Sequence, residues 1–413
     1  MTTIADLLLR NLKPWDESKT IDLAVVDGRF AAPTPGMTAK RTIDAAGRLT
    51  IPGFIEPHIH LDKVMINKDV RTNRSGTLTE AIEIIWEKKK TYTVEEIVAR
   101  AGSVIESGVA NGVTHIRTHV DVDTIGGLKP MEGVLAAREK YRHIVDIQIV
   151  AFPQEGILRD RGAEELMWKA MEMGADLVGG MPFNEDSPAD SRRHIEIAFE
   201  IAKKHDADID MHVDETDDPM ARTLEMLADQ TLINGWQGRV TAGHTCALAG
   251  YPAEYAAAVI EKVKAANLHM ITNPATNLML QGRLDIEPKR RGITRVQELL
   301  ASGINVSFGQ DCVRDTFYPF GRDDSLEVAL LAAHAAQLSM PPQIEQVFAM
   351  PTVNAARILG LKDYGLRPGA PANAVILEAP DAAEAIRLQA PRRWVIKNGR
   401  VVAETEVRRQ TWF

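Results

Sequence analysis

Short apolar runs alternate along this chain with longer stretches whose apolar positions recur every three or four residues. These patterns mark buried strands and amphipathic helices respectively. Candidate strands fall at 54–60, 113–119, 144–151, 176–180, 207–212, 240–244, 268–272 and 304–310. The helix expected at 219–234 is typical of the intervening segments. Pro219 after Asp217 and Asp218 supplies a start signal, and Met220, Leu224 and Leu227 share a face. Eight strand–helix units predict an α/β fold, specifically a (β/α)8 TIM barrel over residues 54–361. A doubly wound open sheet is the alternative, but no Gly-x-Gly-x-x-Gly turn follows an early strand. The chain ends read differently, as short β runs broken by turn residues. Ile21–Val26 before Asp27-Gly28, and Val395–Val402 around Asn398-Gly399, are hairpin patterns. Residues 1–53 and 362–413 are therefore expected to pair into one small β-sandwich domain beside the barrel.

Composition narrows the function. The chain has 413 residues, 45% hydrophobic and 25% charged, enough for a large buried core. A net charge of −9 gives no electrostatic support for a nucleic-acid or anionic-membrane partner. The basic runs Lys88-Lys89-Lys90 and Lys289-Arg290-Arg291 read as a polar helix end and a solvated loop. Two cysteines, Cys246 and Cys312, argue against a disulfide scaffold and suit a reducing cytoplasm. The first residues lack the basic, apolar and cleavage segments of an export signal, and no apolar stretch reaches membrane-span length.

Candidate chemistry gathers where the strands end, which in a barrel is one rim. His58-Ile-His60 closes the first strand, and alternate strand residues face the same side, so both imidazoles enter one space. The third strand runs into Phe152-Pro-Gln154, the fifth ends in His212 with Glu215 following, and the sixth ends in His244. The eighth runs into Gln310-Asp311-Cys312. Any one of these has an ordinary structural explanation; together on one rim they indicate a site.

The segments Glu56-Pro-His-Ile-His-Leu-Asp62, Arg117-Thr-His-Val-Asp121, Val150-Ala-Phe-Pro-Gln-Glu-Gly156, Asp210-Met-His-Val-Asp-Glu215, Val240-Thr-Ala-Gly-His-Thr245 and Phe308-Gly-Gln-Asp311 carry a resemblance. So do Leu280–Arg283 and Pro288–Arg295. Over nearly its whole length the chain resembles the amidohydrolase superfamily, and within it the bacterial cytosine deaminases. The resemblance implies metal ligands at His58, His60, His212 and Asp311, acid–base groups at Glu215 and His244 with Asp311, and substrate binding by Gln154. It further implies a cytosine-type substrate that loses its C4 amine as ammonia, and a homo-oligomer. Related amino-heterocycles (isoguanine, creatinine, N-alkyl aminotriazines) are the alternative. Ring-opening hydrolysis of a cyclic amide and a non-catalytic relative are further ones.

These residue types suit that chemistry. A divalent ion lowers the pKa of water toward neutrality, and three imidazoles with one carboxylate leave it an open position. Two-metal relatives bridge their ions with a lysine at the end of strand four. Here that segment reads Asp176-Leu-Val-Gly-Gly-Met-Pro182, so one ion is expected, Fe2+ or Zn2+. Phe152 and Phe317 either pack on the flat ring or serve as plain core aromatics. Cys312 is the departure: cytosine deaminases carry an acidic residue there, and Gln310 replaces their usual histidine. A cysteine behaves as a small hydrophobe and tolerates a methyl group where a carboxylate resists burial, which favours 5-methylcytosine; a neutral substitution is the alternative.

Overall fold

The computed structural model describes residues 4–290 and 292–412; Met1, Thr2, Thr3, Arg291 and Phe413 lie outside the described residues. Eight parallel strands form the barrel sheet in sequential order. They are Phe54–Ile59, Val113–Asp121, Asp146–Phe152, Leu177–Val178, Asp208–Val213, Val240–His244, His269–Thr272 and Val306–Phe308. Each overlaps an expected strand. The residues of these strands are almost all buried, as a sheet wrapped in helices requires. The fourth strand is shortest because Gly179 and Gly180 follow it. A Cβ on Gly179 would meet Ala151 O at 2.5 Å, and one on Gly180 would meet His194 and Met211 at 2.9 Å. The backbone passes close enough there for His212 N to donate to Gly180 O at 2.8 Å.

The barrel closes between its first and last strands. Asp311 N donates to His58 O at 2.8 Å, and His60 N to Asp311 O at 3.1 Å. Buried Glu56 spans the same seam, accepting from His58 N at 2.9 Å and from Gln310 N at 3.1 Å.

Both chain ends build the second unit. Its strands include Ile4–Pro14, Ile21–Val26, Leu49–Ile51, Ala374–Leu377, Arg392–Lys397 and Arg400–Glu404. Both expected hairpins form. The long first strand pairs with Ile21–Val26 and with Thr38–Asp44 over most of its length, and with Leu49–Ile51 at its end. The mixed sheet thereby encloses its own core of Leu7, Leu9, Leu12, Val25, Phe30, Ile376 and Ile396. Buried Lys397 fastens it to the barrel through Thr114 O at 3.1 Å and the Asp146 carboxylate. Arg392 does the same through Asn111 O at 2.8 Å and Asp324.

Two expectations need correction. The helix over 219–234 begins at Thr223, because Asp214 caps it from outside. The Asp214 carboxylate accepts from Thr223 N and Leu224 N, each at 3.0 Å. The preceding residues form turns in which Asp218 accepts from Met220 N, and Met220 is 69% exposed rather than on the buried face. Lys89 is likewise no solvated helix end. It is 2% exposed, delivered inward by the last turn of Leu78–Lys89. Among the described residues no helix is long and apolar enough to cross a membrane.

Phe348 lies fully buried between Trp15 and Phe54, with ring centroids at 5.7 and 6.1 Å, and so joins the two units. Phe348→Ala should destabilise the protein by about 3–5 kcal/mol, read as a lower urea midpoint. A loss under about 1 kcal/mol would show that this contact does not hold the units together.

Candidate active site

The ligating atoms of His58, His60, His212 and Asp311 all lie within 4.8 Å of one another, and all four side chains are buried. His58 Nε2 and His60 Nε2 stand 3.5 and 3.3 Å from Asp311 Oδ1, and His60 Nε2 stands 3.0 Å from His212 Nε2. His60 Nδ1 lies 3.1 Å from His119 O. A proton on Nδ1 satisfies that carbonyl and turns a bare Nε2 lone pair into the cluster. Burial, with Lys63 nearby, pushes His60 down to about 4, and burial holds His212 well below its usual value, so both rings are neutral. Against burial, the facing His244, His58 and His60 keep the Asp311 carboxyl well below its usual range.

The residues fit a divalent cation. Both ring nitrogens of His58 are buried without a hydrogen-bond partner, as is His212 Nδ1. An N3O donor set of three neutral imidazoles and one carboxylate suits zinc or iron. Asp311 has φ 65° and His244 φ 66°, left-handed values rare for side chains other than glycine, which aim both into the site from the strand ends.

Glu215 and His244 form the adjoining pair. Glu215 Oε1 lies 3.2 Å from His244 Nδ1 and accepts from Asn277 Nδ2 at 3.1 Å. Asn273 Nδ2 lies 3.0 Å from His244 Nε2, and Asn277 Nδ2 lies 3.1 Å from His244 Nδ1, so both ring nitrogens are held by amides. Burial, reinforced by the Asp311 charge, raises the Glu215 carboxyl well above its usual value. Burial lowers His244 to about 3.

All four residues expected to meet a substrate, Phe152, Gln154, Cys312 and Phe317, line one cavity with His60, His212, Glu215 and Asp311. Phe152 is not free on both faces: it stacks on His212 at 4.1 Å and 24°. Burial raises the Cys312 thiol well above its usual value, leaving an inert, apolar wall. The cavity has a volume of about 20 Å³, and Phe317 also lines a neighbouring cavity of about 390 Å³.

Several residues escaped the sequence reading. His119 and Asp210 sit beside His58, with both His119 nitrogens unpartnered. Arg117 Nη1 binds Asp210 Oδ2 at 2.8 Å and neutralises it. Asn273 and Asn277, four apart at the start of a short helix, were detectable by that spacing just after strand seven. Lys63 lines the cavity and is bonded to Asp121 and Gln154, each at 2.6 Å. Its only sequence signal was a charged Asp-Lys pair following the His-x-His strand.

A parallel barrel carrying a buried histidine–aspartate cluster at its carboxyl rim defines a class of hydrolases that act from that rim. More particularly, residues 41–403 match the amidohydrolase family model, and the chain belongs to that family. It is thus an enzyme that hydrolyses C–N bonds of small heterocycles. The structure of 5-methylcytosine deaminase from Klebsiella pneumoniae, liganded with 5-fluorocytosine, superposes with a TM-score of 0.93. It is 38% identical, covering 98% of this chain and 99% of that one. N-isopropylammelide isopropyl amidohydrolase of Pseudomonas sp. (strain ADP) is 33% identical over 97% of this chain and 98% of its own length. Pterin deaminase of Rhizobium rhizogenes is 30% identical over 92% and 87%.

The cluster predicts ion-dependent stability. Zn2+ or Fe2+ at about a hundred times its dissociation constant should stabilise the protein by about 2.7 kcal/mol, measured by thermal denaturation. His58→Ala should remove that gain. An equal gain in the variant would locate the ion elsewhere.

Proposed function

We propose that this protein hydrolytically deaminates a 4-amino-2-oxopyrimidine, converting 5-methylcytosine to thymine and also accepting cytosine, which gives uracil. In this reading residues 54–361 form the catalytic unit, flanked by the β domain of 1–53 and 362–413. His58, His60, His212 and Asp311 hold one divalent ion, Fe2+ or Zn2+. When bound, the ion activates water for attack at neutral pH.

The chain's own residues carry the protons. Glu215 takes a proton from the attacking water and delivers it to ring N3, making C4 electrophilic. Asn277, bonded to Glu215 Oε1, keeps that carboxyl aimed. His244 and Asp311 relay a proton to the exocyclic amine, which leaves as ammonia while C4 keeps the water's oxygen. Gln154 meets the O2 and N1–H edge, and Phe317 packs on the ring. Cys312 faces C5.

One observation carries the reading: Glu215, Gln154 and Cys312 line a single cavity with His60, His212 and Asp311. The 38% identity to a 5-methylcytosine deaminase over 98% of this chain supports it. The 33% identity to an N-isopropylammelide hydrolase favours a second reading, removal of an alkylamine from a triazine by the same groups.

Ammonia or amine release from cytosine, 5-methylcytosine, isoguanine, creatinine, pterin and N-isopropylammelide, on protein of known metal content, separates the two. 5-Methylcytosine should give the highest kcat/KM; a triazine giving it would overturn the proposal. Glu215→Gln should keep the ion and lose about 10²–10⁴-fold in kcat. Retained turnover would remove its assigned role. Burial of one methyl is worth about 0.8 kcal/mol, so Cys312→Asp should cut the 5-methylcytosine preference at least about fourfold. An unchanged preference would discard the methyl pocket.

A further inference from the structure

We propose that Lys63 determines specificity by donating a hydrogen bond to the exocyclic oxygen at ring C2, so that the pocket selects 2-oxo rings over rings lacking that oxygen. This rests on the deaminase reading above and adds a residue to it.

The Lys63 ammonium has three protons and is 1% exposed. Asp121 Oδ1 and Gln154 Oε1, each at 2.6 Å, take two of them. The third meets no acceptor among the described residues, and Lys63 lines the active-site cavity. Its Nζ lies 5.4 Å from the Phe152 ring centroid and 5.9 Å from that of Phe317, the two aromatic rings of the same cavity.

Lys63 also orients Gln154. With its oxygen held by the ammonium, the Gln154 amide turns Nε2 toward Glu155 Oε1 at 3.3 Å, and one N–H remains for the cavity. Two donors therefore converge on one edge of any bound ring. A carbonyl oxygen with two lone pairs satisfies both, whereas a C–H or amino group leaves them buried and unpaired.

The surrounding charges favour a neutral ring. Lys89 Nζ binds Asp121 Oδ2 at 2.7 Å, Asp123 Oδ2 at 2.6 Å and Glu155 Oε1 at 3.1 Å. With buried Asp62 beside Asp121, two ammonium groups thus face four carboxylates, so the wall offers donors without net positive charge. It suits an uncharged oxo group rather than an anionic hydroxytriazine.

The test uses the metal-loaded enzyme and three ligands: cytosine as substrate, with pyrimidin-2-one and 4-aminopyrimidine as competitive inhibitors. Lys63→Met should raise the cytosine KM and the pyrimidin-2-one Ki about 10–100-fold, with metal content unchanged. The Ki of 4-aminopyrimidine, which lacks the oxygen, should move less than about threefold, below half the discrimination expected for a charged hydrogen bond. Lys63→Met/Asp121→Asn removes both charges together, leaves no carboxylate stranded, and should give the same selectivity. A parallel change for all three ligands, or none, would overturn the proposal. Wild-type protein that releases no ammonia from any 2-oxo-4-aminopyrimidine would instead overturn the deaminase reading. Unchanged discrimination in active Lys63→Met protein would remove the Lys63 proposal alone.

Discussion

Lone pairs from three buried imidazoles and a carboxylate, held within 4.8 Å of one another, are unfavourable neighbours until a cation lies among them. Much of the rest of the structure serves to hold that arrangement. The donors come from the first, fifth and eighth strands, so none can take its place unless the sheet has closed. Closure occurs at the donors themselves: Asp311 donates its amide to His58 O and accepts from His60 N across the seam, and Glu56 clamps the amides on either side. Fold and site are therefore one problem at this point. An open sheet would separate Asp311 from His58, and the cluster would not exist.

Backbone strain helps to make the site. His244 and Asp311 leave their strands in left-handed backbone conformations, which other side chains rarely adopt. A regular strand end would continue the alternation and send these side chains along the rim rather than into it. Hydrogen bonds to neighbouring groups offset the strain. Asn273 and Asn277 hold the His244–Glu215 pair, and His119 O sets the His60 ring.

The sequence made the barrel legible because every strand is a short apolar run, and burial on both faces demands that pattern. The His–Asp cluster was legible because His-x-His on a strand and single histidines at strand ends have few other uses when they share a rim. Groups that act through partners distant in sequence were hidden. Lys89 looked like one of three surface lysines, since nothing local says that Asp121, Asp123 and Glu155 wait beneath the helix. Lys63 and Arg117 are the same case, charges readable only once their counter-charges are placed. The helix start was misread for a related reason. Asp214, five residues before Pro219, reaches Thr223 and Leu224 through a chain reversal that no local signal encodes.

The cavity walls divide the work of recognition by polarity. The lining includes Lys63, Gln154 and Glu215, all held by further hydrogen bonds. It also includes Cys312, Phe317, Ile82 and Leu78, which hold no charge. A flat ring with oxygen and nitrogen along one edge and carbon along another is selected by orientation when its polar edge meets the first set. Turning it over would bury the polar edge against Cys312 and leave the ammonium facing carbon, and each mismatch strands a buried polar group. In the proposed deamination orientation decides the chemistry, because Glu215 would reach a ring nitrogen only when the carbon bearing the amine faces the His–Asp cluster. The same contacts that choose the substrate thus choose which carbon is attacked.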